Sequence, residues 1–363
     1  MRGKRRNSPE LPDASAGTPE ERRERARQDF TFFRRAYFPH YCLVGGDSRL
    51  HEWLDAELPR MADAPEGVRL AIAAPRGEAK STFVSLFFVL WAVLTGRKHY
   101  ILIIADALEQ AASLLGAVKD ELEFNEALKR DFPGAGKGHV WNVGTVVTPG
   151  NVKIQALGAG KRMRGLRHGP HRPDLIVLDD LENDGNVDKP EQRDKLQSWL
   201  QKTVLNLGAA DGSMDVVYVG TLLHYDSVLA RTLRKPLWKA RTFRSILRWP
   251  DRMDLWDEWE SLLSSRGEAE ARRFYRQHRV KMEAGAEVSW PASRPLYRLM
   301  CLRAEDREAF DSEQQNDPLS ANEAPFNGCI TFWVDRSRDW LLFGAVDPSL
   351  GKQGAGRDPS AIL

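Results

Sequence analysis

Residues 69–94 read RLAIAAPRGEAKSTFVSLFFVLWAVL, and the reading of this stretch decides the fold. An apolar run at 70–74 has the length of a strand, a turn of Pro, Gly, Lys and Ser follows, and 83–94 is an apolar segment of helix length. Strand, tight loop and helix come in the order in which a chain cradles phosphate. The first N–H groups of a helix have no partner within it and carry partial positive charge, so a loop wound just ahead of them wraps anionic oxygens. Here Gly77, Glu78, Ala79, Lys80, Ser81 and Thr82 would form the cradle, Lys80 reaching the β- and γ-phosphates and the Ser81 hydroxyl ligating Mg²⁺. Against the pattern G-x-x-x-x-G-K-[ST], Ala74 and Ala79 replace both glycines and Gly77 sits in mid-loop. The alternative is an ordinary strand-to-helix turn with an exposed lysine.

A second element lies downstream. Residues 173–180 read PDLIVLDD, an apolar strand with two carboxylates at its C-terminal end. Buried on both faces of a parallel sheet, such a strand places one carboxylate on the Mg²⁺ shell and another beside the water that attacks the γ-phosphate. Asp179 would hold the metal and Asp180 would be the general base, with Glu182 next in line. Taken alone, the same residues describe a strand running into a solvated acidic loop. The two elements in this order predict an α/β fold, a P-loop NTPase of the ASCE type with a mainly parallel sheet flanked by helices.

The chain between and around them alternates in the same way. A buried strand is expected at 99–106, a helix at 108–124, two short strands at 142–148 and 151–157 across Pro149-Gly150, an amphipathic helix at 190–207 and a strand at 215–220. The last ends in Gly220-Thr221, where a polar strand end would lie near the γ-phosphate and sense hydrolysis. Upstream, residues 29–62 are dense in aromatics, and Tyr37 or Phe38 would stack on adenine. Residues 158–172, GAGKRMRGLRHGPHR, offer Lys161, Arg162, Arg164, Arg167 and Arg172 either to a DNA backbone or, in trans, to the nucleotide of a neighbouring subunit. The alternative there is a flexible charged loop.

A net charge of +2 neither demands nor excludes nucleic acid, so these local clusters decide. Cys42, Cys301 and Cys329 have no metal-ligand spacing, as expected in a reducing compartment. The apolar run at 83–94 is too short for a bilayer, and no apolar segment follows the charged N-terminus as a secretory signal would. The protein is expected to remain in the cell that makes it. Residues 1–27 are charged and poor in large apolar groups, the composition of a disordered tail.

APRGEAKST at 74–82, LIVLDDLEND at 175–184 and VVYVGTLLHYDSVLA at 216–230 resemble, in order and spacing, the ATPase half of the large terminase subunit of tailed bacteriophages and their prophages. RGLRH at 164–168, Trp290-Pro291 and EAFDSEQQNDP at 308–318 followed by APF add to the resemblance, which covers residues 29–363. It implies that Lys80, Ser81 and Thr82 are the Walker A contacts to ATP and Mg²⁺, that Arg76 is an additional catalytic loop arginine, and that Asp179 and Asp180 are the Walker B pair, the second commonly Glu in that family. Gly220 and Thr221 would be the coupling motif. It further implies double-stranded DNA, a portal protein and a small terminase subunit as partners, a homo-oligomeric ring, no membrane, and a place in the host cytoplasm and transiently at the procapsid portal. The implied domains are an ATPase at 28–247, a connecting region at 248–338 and, at 339–363, the first hairpin of an RNase H-like nuclease. In that nuclease Asp347 would be the first Mg²⁺ or Mn²⁺ ligand and Asp358 a nearby acid. Two-metal cleavage needs further carboxylates, so nuclease activity is not expected of these residues alone. A helicase-like motor and a degenerate P-loop binding module remain the other readings.

Overall fold

The computed structural model describes residues 17–42 and 44–318 in full, together with the backbone of 346–347 and 361–362. The chain divides into two units, 1–323 and 324–363. In the first, the central strands form because their apolar runs bury both faces, and shorter or more exposed strands extend the sheet toward its edges. The strands are β1 (Arg69–Ala73), β2 (Tyr100–Ala105), β3 (Val140–Trp141), β4 (Thr145–Val147), β5 (Lys153–Gly158), β6 (Leu175–Asp179), β7 (Asp215–Gly220) and β8 (Lys239–Thr242). They make one sheet in the order β3-β4-β5-β2-β6-β7-β1-β8. From β5 to β8 every pairing is parallel, and β3 and β4 extend the β5 edge antiparallel. The sheet is therefore mainly parallel and flanked by helices, as the sequence predicts. One strand, β7, separates β1 from β6, the ASCE arrangement.

The period of two along each strand divides the core. Leu70, Ile72, Ile101, Ile103, Val177 and Val217 face a cluster shared with the aromatic-rich N-terminal helices and the helix Leu108–Phe124. Ala71, Leu102, Ile104, Ile176, Leu178 and Tyr218 face a second cluster with Leu200 of the helix Pro190–Lys202 and with Val228 and Leu229 of Val228–Leu233. The segment that follows the turn after β1 is buried from Phe83 to Val93 and winds wider than an α-helix over Thr82–Phe88 before becoming regular over Val89–Leu94.

After β8 a third cluster is built around Trp256, Trp259, Tyr275, Leu299 and Phe310. It belongs to the helices Met253–Arg266, Glu268–Glu283, Leu296–Glu305 and Arg307–Gln315, and to the antiparallel pair β9 (Ile246–Arg248) and β10 (Glu287–Val288).

Two expectations are corrected, and one strand was missed. The tail through residue 27 is helical over Pro19–Gln28, where a Thr18/Glu21 capping box starts the helix and Arg22 reaches Asp131 at 2.5 Å. The strand expected at 142–148 shrinks to β4, with β3 added beside it. β8 was not expected at all, because its four residues are exposed and leave no burial pattern. In the second unit, β11 (Val346–Asp347) and β12 (Ala361–Ile362) pair antiparallel, Asp347 opposite Ala361. Asp358 lies outside the described residues.

Candidate phosphate-binding site

The C-terminal ends of β1, β6 and β7 meet at the turn after β1. The first bond of the following helix runs from the Phe83 amide to the Ala79 carbonyl, so the amides of Lys80, Ser81 and Thr82 open toward the loop with no partner inside the helix. Two residues of the turn take left-handed backbone, Gly77 at φ 79° and Ala79 at φ 55°. Ala79 thus adopts the conformation for which the motif ordinarily supplies glycine, at the expense of local strain.

Lys80 is buried, and its Nζ lies 3.2 Å from Asp180 Oδ2 and donates to Thr221 Oγ1 at 3.2 Å. The Thr221 hydroxyl donates in turn to the Ala74 carbonyl, closing β7 onto the loop. Ser81 Oγ donates to Asp179 Oδ1 at 2.9 Å, and Ser85 Oγ, one turn further, donates to Asp179 Oδ2 at 2.5 Å. Asp179 is 1% exposed, and burial together with the Asp180 charge pushes its carboxyl up to about 6. The hydroxyl and carboxylate oxygens of Ser81 and Asp179 are hard donors side by side, the chemistry that suits Mg²⁺. Asp180 itself sits at φ 46°, turned out of the strand into a cleft that Arg76, Glu182, Thr221 and Asp106 also line.

The other expected residues are placed less uniformly. Glu182 borders the cleft, but its carboxylate accepts the amides of Val228 and Leu229 at 2.6 and 2.9 Å and the Tyr218 hydroxyl at 3.0 Å, holding the start of the helix Val228–Leu233. Arg76 reaches Glu313 at 2.6 Å, and its amide donates to the Glu313 carbonyl. Gly220 ends β7 beside Asp180. The carboxylate of Glu78 turns away from the cleft and is 1% exposed, with burial pushing it up to about 7.

Tyr37 does not reach the loop. Its ring is 1% exposed, packed edge-on against Phe132 at 5.4 Å, and its hydroxyl donates to Asp131 at 2.9 Å. Phe38 is fully buried as well. The aromatic surface beside the loop belongs instead to exposed Tyr41, whose ring meets that of largely buried Phe87 edge to face at 5.7 Å in a cavity that Ala79, Thr82, Phe83, Arg35 and Trp290 also line.

Lys161, Arg162, Arg164, Arg167 and Arg172 are exposed and make no ion pair among the described residues. Buried Met163 anchors the loop that carries them. None of them is brought to the phosphate loop. Sequence reasoning missed Ser85, although a serine four residues after Ser81 on one helix was a usable signal. It also missed the roles of Ser289, Arg294 and Glu313, which reach the loop from more than 200 residues away; only Glu313 lay in a quoted stretch, 308–318, and nothing in that stretch pointed to the loop.

Neither a family profile nor a curated protein matches this sequence. Among solved structures, the chain is similar to the large terminase ATPase domain of Thermus phage P74-26, with a TM-score of 0.36 and 14% identity, over 72% of this chain and 92% of that one. An arginine-to-alanine mutant of the same domain gives 0.35 and 13%, over 70% and 90%.

Proposed function

We propose that this chain is an Mg²⁺-dependent ATPase of the large-terminase type, a motor subunit that drives double-stranded DNA into a viral capsid. The observation that carries the ATPase reading is the meeting of Lys80, Ser81, Asp179, Asp180 and Thr221 over the ends of β1, β6 and β7. Lys80 would exchange Asp180 and Thr221 for phosphate oxygens, which leaves both groups free. Asp180 would then accept the proton of the attacking water, and Thr221 would report the state of the site along β7. Magnesium held by Ser81 and Asp179 would supply neutralisation of the phosphate charge. Tyr41 and Phe87 would receive the base, since Thr82 joins their cavity to the loop.

The exposed arginines Arg162, Arg164 and Arg167 would contact DNA or serve a neighbouring subunit in trans, within a ring that works with a portal protein and a small terminase subunit in the host cytoplasm and at the procapsid. Turnover with and without duplex DNA tests this in the triple alanine variant. DNA contact predicts lost stimulation and a salt slope smaller by about 0.9 per lost phosphate contact. An arginine acting in trans predicts lost basal turnover, and a variant unchanged in both counts against the loop. Ala79 at a glycine position favours a second reading, nucleotide binding without turnover. Saturable ATP binding with no ADP formed would select it.

A further inference from the structure

We propose that Arg294 and Glu78 are positioning residues that hold the phosphate loop in its binding shape, the guanidinium from the region after β10 lying against Gly77 and the buried carboxylate of the next loop residue held by Ser289. This rests on the ATPase reading for its consequence, but not for its geometry.

The turn at Gly77 is where the guanidinium arrives. A Cβ built on Gly77 would stand 1.8 Å from Arg294 Nη2, so the glycine serves the left-handed φ and also leaves the side-chain position open for the guanidinium to lie against the backbone. Arg294 is held there by Gln314, whose Oε1 accepts from Nη1 at 2.5 Å and from the Ser245 hydroxyl at 3.0 Å. The next residue of the loop, Glu78, points to the same side. Its Oε2 accepts from Ser289 Oγ at 3.3 Å, whereas Oε1 is buried without a hydrogen-bond partner among the described residues. An unsatisfied buried carboxylate oxygen is costly, and burial pushes the Glu78 carboxyl up to about 7 against the opposing pull of the Ser289 hydroxyl and the Arg294 charge.

Arg76, on the other side of Gly77, is tied by its amide and its side chain to Glu313 of the same helical region. Three consecutive loop residues are thus fastened from outside the motif. Glycine in a loop of this kind is free to leave the conformation that aligns the amides. Arg294 removes that freedom, so the loss of alignment on its removal should appear as weaker nucleotide binding.

Hydrogen exchange of the 76–79 amides in the nucleotide-free protein, together with the Kd for Mg-ATP, tests this in Arg294→Ala, Arg294→Lys and Glu78→Gln. Arg294→Ala is expected to speed exchange in the loop and raise Kd by about tenfold or more, with the melting temperature nearly kept. Arg294→Lys should fall between, because an ammonium can donate to Gln314 but cannot also lie flat against Gly77 as a planar guanidinium does. Gly77→Ala should be far less harmful in the Arg294→Ala background than alone. Unchanged exchange and unchanged Kd would overturn the proposal, as would a lower melting temperature with both unaltered. If the wild type binds no nucleotide, the ATPase reading fails, and the exchange measurement alone still decides whether Arg294 braces the loop.

Discussion

Asp179 draws its geometry from two serines on one helix face. Ser81 was legible from the motif, and Ser85 only from the structure, yet both donate to the same carboxylate. Ser85→Ala leaves one oxygen of a buried carboxylate unpaired. Orienting partners of this kind are worth about 10- to 100-fold in metal affinity. We therefore expect the Mg²⁺ titration of ATP binding, followed by calorimetry, to shift to about 10- to 100-fold higher Mg²⁺ in this variant, and an unaltered titration would refute the role. Ala79 makes the opposite kind of prediction. Its left-handed φ of 55° is strained, so Ala79→Gly should gain stability of about 1 kcal/mol in denaturant unfolding, and a loss would show that the methyl group packs usefully. The residues misjudged from sequence share one cause. Tyr37 and Glu182 have the right chemistry in the right neighbourhood, but each is already committed, Tyr37 to Asp131 and Glu182 to two helix amides. Such commitments arise from contacts between residues tens of positions apart, which no local pattern records.

At the scale of elements, the helix Arg49–Ala62 is joined to the turn after β1 through His51, and burial shifts His51 and Glu78 in opposite directions. His51 is stacked on Phe83 at 4.2 Å, accepts from the Ser48 amide and meets the Glu78 carbonyl at 2.9 Å. Burial lowers its pKa from 6.5 to about 4, while burial raises that of the Glu78 carboxyl from 4.5 to about 7. Between pH 4 and 6.5 the unfolded chain holds a proton on His51 that the folded one does not, so this term strengthens the fold as pH rises. Between pH 4.5 and 7 the folded chain holds a proton on Glu78 that the unfolded one lacks, and that term weakens the fold as pH rises. The two largely cancel in the wild type over their shared window. Relative to wild type, Glu78→Gln should therefore lose stability on acidification from pH 6.5 to 4, and His51→Gln should lose it as pH rises from 4.5 to 7. Each effect is of the order of 3 kcal/mol, readable in urea midpoints. Parallel profiles for all three proteins would contradict this. The same elements show what was legible. Strands β1, β2, β6 and β7 announce themselves because burial on both faces demands unbroken apolar runs, whereas the edge strand β8, KART, is exposed throughout and reads as loop.

For the molecule as a whole, the sheet presents the loop and the helical region after β8 fastens it. Asn316, at the end of the helix Arg307–Gln315, accepts from the Leu222 amide and donates to the Phe243 carbonyl, so the strand end carrying Thr221 is tied to the region that braces Gly77. The mainly parallel sheet, its central strands and the residue types of the loop could be read from the chain, because each follows from a local run of residues, whereas the strand order could not. The bracing could not, because it joins residues more than 200 positions apart. The most direct measurement is steady-state ATP hydrolysis by the purified chain with Mg²⁺, beside Lys80→Ala and Asp180→Asn. The account predicts turnover in the wild type that Lys80→Ala abolishes by preventing binding, and that Asp180→Asn abolishes while ATP still binds. Turnover that survives both substitutions would contradict it.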